Sequence, residues 1–161
     1  MIYFLAHSDW ILYNSRKEIS DSLIKQYDYK VNAITPNREF KNKLDKYFSK
    51  IHLWNVDRFK FIDIKGIINL RAILKNLNEE DILHIFTLKS GLYVLFATTF
   101  SKNKFKIVLS ITGLGYLFSR TLISKLIRNI LRFYMRFGFK KKIDILIFQN
   151  EMDQQILTKY V

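Results

Sequence analysis

Five short stretches carry the side chains able to do chemistry: His7-Ser8-Asp9-Trp10, Thr35-Pro36-Asn37, Phe86-Thr87-Leu88-Lys89, Thr112-Gly113-Leu114-Gly115 and Gln149-Asn150-Glu151. His7 has the residue type of a general base or a phosphate ligand; the competing reading is a histidine that satisfies a loop. Asp9 could accept a sugar hydroxyl or N-cap a helix. Arg16, in the first turn of that helix, could face a phosphate or water. Lys89 stands just before a helix start, where an ammonium reinforces anion binding; the alternative is a solvated loop lysine. Gly113 and Gly115 allow close approach of a ligand to the backbone, or simply a tight turn. Glu151 reads either as a cleft carboxylate or as an acid favourably placed in a first helical turn. Among the histidines, His84 falls in mid-strand and reads as buried and hydrogen-bonded, whereas His52 opens a short strand and reads as solvent-facing.

Several chemistries are excluded. Cysteine is absent, which removes disulfides, thiolate metal sites and a cysteine nucleophile. His7, His52 and His84 are too scattered for a metal cluster, so no metal is expected. No G-x-G-x-x-G follows the first apolar run, and neither G-x-x-x-x-G-K-[ST] nor G-x-S-x-G occurs. A standard NAD dehydrogenase, a P-loop NTPase and an α/β-hydrolase elbow are therefore set aside.

Charge adds a second kind of information. The 161 residues hold 27 Lys+Arg against 14 Asp+Glu, a net charge of +13. Such an excess calls for an anionic partner: nucleic acid, an anionic bilayer or a phosphorylated small molecule. The segment Ser119 to Lys142 is its most concentrated source, with Arg120, Lys125, Arg128, Arg132, Arg136, Lys140, Lys141 and Lys142 and no acid. Arg128, Arg132 and Arg136 recur every four residues beside many apolar positions. A basic amphipathic helix of this kind fits a membrane-surface contact, and equally a core-covering helix with a solvated basic face. Bases also interleave with aromatics at Arg58-Phe59-Lys60-Phe61, but no nucleic-acid-binding module is recognisable, and no nucleic acid is expected as a partner. No apolar run approaches the ~20 residues of a membrane span. The N-terminus lacks a signal peptide's basic region and cleavage site, so the expected compartment is cytoplasmic.

These residues need elements to position them, and the chain alternates short apolar runs with helical patterns. Strands are expected at Ile2–Ala6, Val31–Ile34, Ile51–Trp54, Ile82–Phe86, Phe105–Ile111 and Ile143–Phe148. Helices are expected over Asn14–Tyr27, Arg38–Phe48, Gly66–Leu77, Gly91–Ser101 and Ser119–Phe137, with a last one capped by Asn150 and running through Tyr160. Asn55 to Lys65 reads as a basic-aromatic connector. Repeated β-α units with strands apolar on both faces predict a doubly wound parallel sheet, helices on both sides and strand order 3-2-1-4-5-6. The whole chain reads as a single domain. Ligands of such a sheet bind beyond the carboxyl ends of its strands, where the five stretches fall.

HIFTLKSGLY (His84 to Tyr93), SITGLGYLF (Ser110 to Phe118) and IFQNEMD (Ile147 to Asp153), each at a strand end, resemble the N-terminal domain of family 4-type glycosyltransferases with the GT-B fold. SDWILYNSR (Ser8 to Arg16) and VNAITPN (Val31 to Asn37) resemble the family's start. The likeness is nearest to bacterial enzymes of capsule and O-antigen polysaccharide assembly. It implies a Rossmann-like acceptor-side domain over residues 1–161. The implied activity is transfer of a sugar from a nucleotide-sugar to a glycan acceptor, often lipid-linked, at the inner membrane face. It implies neither cofactor nor metal.

Carried over, the substrate-binding candidates are Ser8, Trp10, Asn14, Arg16, Thr87, Lys89, Thr112, Gly113, Leu114, Gly115, Tyr116, Gln149, Asn150 and Glu151. His7 and Asp9 are the candidates for catalysis. The basic stretch would then dock on an anionic membrane. The sequence departs from the family pattern in lacking a glycine in the first loop and in having Ser90, not proline, after Lys89. The donor-binding second domain is expected to be absent from these 161 residues, which would leave them inactive alone, or in need of a partner subunit. The rival expectation is a non-enzymatic basic module on the same scaffold, binding an anionic membrane or nucleic acid.

Overall fold

The computed structural model describes residues 1–57, 59–60, 62–99, 105–114, 128–129 and 142–158. Their elements run β1 (Ile2–Leu5), α1 (Asp9–Ser15), α2 (Lys17–Tyr27), β2 (Val31–Thr35), α3 (Lys41–Leu44), β3 (Lys50–Leu53), α4 (Ile64–Leu74), β4 (Ile82–Phe86), α5 (Leu88–Thr98), β5 (Lys106–Ile111), β6 (Ile145–Phe148) and α6 (Glu151–Thr158). The six strands form one sheet in the order β3-β2-β1-β4-β5-β6, and every pairing is parallel. This is the Rossmann-like, doubly wound fold and the strand order that the β-α alternation predicts.

Alternation along each strand sends side chains to two cores. On one face Leu5, Ile34, Leu83, Ile85, Ile107 and Leu109 pack with Leu70 and Leu74 of α4 and Leu92 and Leu95 of α5. On the other, Phe4, Ala6, Val31, Ala33 and Phe86 pack with Leu12 of α1, Leu44 of α3 and Phe48. Trp54 is fully buried in the first core, and its indole N–H donates to the Gly66 carbonyl at 2.8 Å, which fixes the start of α4 beside the end of β3. Gly91 lets α5 approach β5 closely: a Cβ there would stand 3.0 Å from Leu109 Cδ1.

Three expectations change. The first helix begins at Asp9, not Asn14, and is broken at Arg16, whose φ of −135° leaves the helical region and divides it into α1 and α2. The helix expected over Arg38–Phe48 shrinks to α3, a single turn. A tertiary contact holds its start, because the Asp9 carboxylate accepts the Phe40 N–H at 2.8 Å, and Ser49 already feeds β3 by donating to the Val31 carbonyl. Finally, the strands are not all apolar on both faces. The two edge strands are partly solvated, β3 through Lys50 and Leu53 and β6 through Ile145 and Ile147. The long basic helix expected at Ser119–Phe137 lies outside the described residues except for 128–129.

Candidate functional site

The sheet reverses its winding between β1 and β4. The chain leaves β1 for α1 against one core and leaves β4 for α5 against the other, so the two loops part and expose a crevice at the strand ends. There the structure joins residues that are 80 or more positions apart. His7 Nδ1 lies 3.1 Å from Thr87 Oγ1 and 3.1 Å from Ser90 Oγ, and these two hydroxyls are 3.1 Å from each other. The His7 backbone N–H donates to Ser90 Oγ at 3.0 Å. Ser90 is completely buried. Thr87 is the N-cap of α5, accepting from the Ser90 N–H, and holds φ at +81°. A β-branched residue rarely adopts that conformation, and such strain collects where function requires a fixed geometry.

Ser90 Oγ accepts the His7 amide and Thr87 Oγ1 accepts the Ser90 amide, and the two hydroxyls close a triangle with Nδ1 in which the tautomer of His7 sets which atom donates.

Lys89, expected just before the helix, lies in the first turn of α5. Its ammonium donates to the Lys60 carbonyl at 2.9 Å, and burial pulls its pKa down, opposed by the charge of Asp57. That contact ties the Lys60 backbone, in the connector, to the first turn of α5. The connector is tied further by the Asp63 N–H to Tyr93 Oη at 2.9 Å and the Asp57 N–H to Asp63 Oδ2 at 2.9 Å.

On the α1 side, Ser8 is buried and stands at the N-cap without a side-chain cap bond. Asp9 is buried too. Its two oxygens accept the Trp10 N–H at 2.9 Å and the Phe40 N–H at 2.8 Å, so it ties the first loop to the third helix. Trp10 is 52% exposed, and Asn14 is exposed one turn later, bonded to the Trp10 carbonyl. Arg16 is not in a first turn but at the break between α1 and α2. Its guanidinium covers the Phe86 ring at 4.7 Å, with Nη1 on the Ser15 carbonyl. Its Nε is buried with no hydrogen-bond partner among the described residues. Beneath it, His84 Nε2 meets Ser110 Oγ at 2.8 Å. Burial, with a smaller push from Arg16, lowers the His84 pKa to about 4, so the ring is neutral at pH 7. His84 is hydrogen-bonded as expected, but half-buried, not fully buried. His52 does not face solvent: it is half-buried within β3, tilted against Tyr3 at 5.8 Å, and burial lowers its pKa.

The remaining candidates do not join the crevice cluster. Thr112 is half-buried, and Gly113 is exposed with φ +138° and open space around it, so it serves the turn. Leu114 is a core residue. Asn150 caps α6: its carbonyl oxygen accepts the Asp153 N–H at 2.7 Å, and its amide nitrogen donates to Asp153 Oδ2 at 2.8 Å. Gln149 and Glu151 are exposed beside it.

Gly115 and Tyr116, and also Arg120, Lys125, Arg132, Arg136, Lys140 and Lys141, lie outside the described residues. Arg128 is half-buried. Lys142 is turned inward, donating to the Thr98 carbonyl at the end of α5, where a cation suits the helix dipole. Sequence reasoning missed Ser90; the signal available was a small hydroxyl three residues after Thr87, the spacing of an N-cap and its partner. Among the described residues no cluster of His, Asp and Glu could hold a metal ion, and no helix is long and apolar enough to cross a membrane.

Comparison with protein families matches residues 1–150 to the model described as glycosyl transferase 4-like. The curated proteins contain no match to the chain.

Proposed function

The chain belongs to the glycosyl transferase 4-like family, and from that premise we propose that it builds the acceptor side of a cleft in which a sugar passes from a nucleotide-sugar to a glycan. In that reaction the bond between the anomeric carbon and the donor phosphate breaks. A bond to an acceptor hydroxyl oxygen forms, the nucleotide leaves carrying the electron pair, and the hydroxyl proton passes to the departing phosphate oxygen or to water. Negative charge therefore grows on phosphate, and groups that meet it must be donors. Arg16 offers a guanidinium and Lys89 an ammonium, and His7, held at Nδ1 by the Thr87 and Ser90 hydroxyls, stands in the same crevice. Trp10 offers an exposed ring to an acceptor sugar. The observation that carries this reading is the His7–Thr87–Ser90 cluster, placed where the sheet reverses in a chain of this family.

The acceptor we infer is a lipid-linked glycan of surface polysaccharide assembly, of the capsule or O-antigen kind, met at the cytoplasmic face of the membrane. The charge of +13 supports that location. Residues 1–161 supply one wall only. Transfer requires a donor-binding domain opposite, because both substrates must be held together.

The test supplies the native protein, together with the donor-binding domain or subunit it works with, with a panel of radiolabelled nucleotide-sugars and membranes bearing lipid-linked acceptors. Label entering the lipid-extractable fraction is expected. A folded protein that moves label from none of the donors overturns the reading.

A further inference from the structure

The outer surface of α4 is unusual for a helix of a soluble sheet domain. Gly66, Leu70 and Leu74 turn inward, so helical geometry puts Ile64, Lys65, Ile68, Ala72 and Lys75 on the opposite side. Ile64 is 69% exposed and Ile68 64%. The preceding connector continues the surface with Phe59, 77% exposed, Ile62, 42% exposed, and Lys60. Large apolar side chains thus form one patch with lysines interspersed. Asp57 and Asp63 lie beside the lysines and engage the backbone, Asp57 accepting the Phe59 N–H and Asp63 the Asp57 N–H, and Lys60, Lys65 and Lys75 outnumber them.

We propose that this patch, formed by Phe59, Lys60, Ile62, Ile64, Lys65 and Ile68, seats the protein on an anionic lipid bilayer. Charge complementarity selects that occupant. Isoleucines and a phenylalanine enter the acyl boundary while Lys60, Lys65 and Lys75 meet anionic headgroups, the division of labour of an interfacial helix. A polyanion such as RNA would use the lysines and leave the isoleucines in water. The patch starts at the strand ends, where Lys60 contacts Lys89, and runs outward along α4. Seated this way, the crevice opens next to the membrane surface. The inference deepens the lipid-linked acceptor reading and rests on it for its purpose, not for its test.

Vesicle sedimentation needs neither donor nor acceptor, so its outcome is independent of sugar transfer. The full chain is mixed with phosphatidylcholine vesicles with or without one-third phosphatidylglycerol. Binding to the anionic vesicles alone is expected. Ile64→Asp with Ile68→Asp should lower the bound fraction about tenfold, and Lys60→Glu with Lys65→Glu should do likewise. Ile19→Asp, at an exposed isoleucine of α2, should bind as the parent does. Circular dichroism and gel filtration check that the variants fold. Retained binding in both double variants overturns the proposal. So does a double variant that loses self-association instead of vesicle binding, or a parent that prefers RNA to vesicles.

Discussion

The strand ends of β1 and β4 and those of β5 and β6 face the same edge of one sheet, yet they are built differently. In the crevice, side chains bond to one another across the sheet: His7 with Thr87 and Ser90, Asp9 with the amide of Phe40. At the rim they bond locally, as Asn150 does with Asp153, or stand in open space, as Gly113 does. The cause is topological. The loops after β1 and β4 diverge to opposite faces and leave a gap that side chains share. The shared cluster therefore forms at the reversal, and the described rim residues supply a turn at Gly113 and a cap at Asn150.

The contrast can be broken most severely at the aspartates and asparagines that tie each region. Asp9→Ala should cost roughly 2–4 kcal/mol, because two backbone amides lose their acceptor inside the protein. Asn150→Ala should cost roughly 1 kcal/mol, the value of a helix cap. Urea unfolding of both variants measures the difference, and equal costs would show the crevice to be no better knit than the rim.

Acid should act on the crevice side through His84. The folded ring titrates near 4 and the unfolded one near 6.5, so the unfolded chain binds more protons between these values. Stability is fully present above pH 6.5, falls as pH drops, and levels off below about 4, a loss of roughly 3 kcal/mol. His84→Gln, which keeps a polar partner for Ser110, should flatten that slope in thermal unfolding followed from pH 7 to 4.5. An unchanged slope would remove His84 from the account.

The smallest effects come from backbone conformation. Thr87→Ala keeps the positive φ and loses the cap, whereas Thr87→Gly relieves the φ; the glycine variant should be the more stable by roughly 1 kcal/mol. At the rim, Gly113→Ala should lose about the same amount from conformation alone, since nothing lies within 4 Å of the new carbon. Calorimetry of these variants separates strain held by neighbours from strain that glycine simply avoids.

Much of the fold was legible because it rests on local patterns. IYFLA, ILHIF and IDILIF announce strands, and their alternation with helices fixes the sheet order. What escaped depends on contacts distant in sequence. The break at Arg16 places its guanidinium on Phe86, 70 positions away. The brevity of α3 follows from Asp9. Ser90 and His7 acquire a joint role only when β1 and β4 pair. Leu114 reads as a loop residue in sequence, yet it closes the core beneath a polar turn. His52, half-buried against Tyr3, and the exposed isoleucines of α4 show the limit of residue type as a guide to burial.

Sugar transfer by the native protein tests the central claim most directly, comparing Thr87→Ala with Ser90→Ala in the crevice against Gln149→Ala with Glu151→Ala at the rim. The crevice double variant should lose activity by about a hundredfold or more while remaining folded, and the rim variant should stay within about threefold. Equal losses, or a crevice variant as active as the parent, would contradict the assignment of the chemistry to the reversal of the sheet.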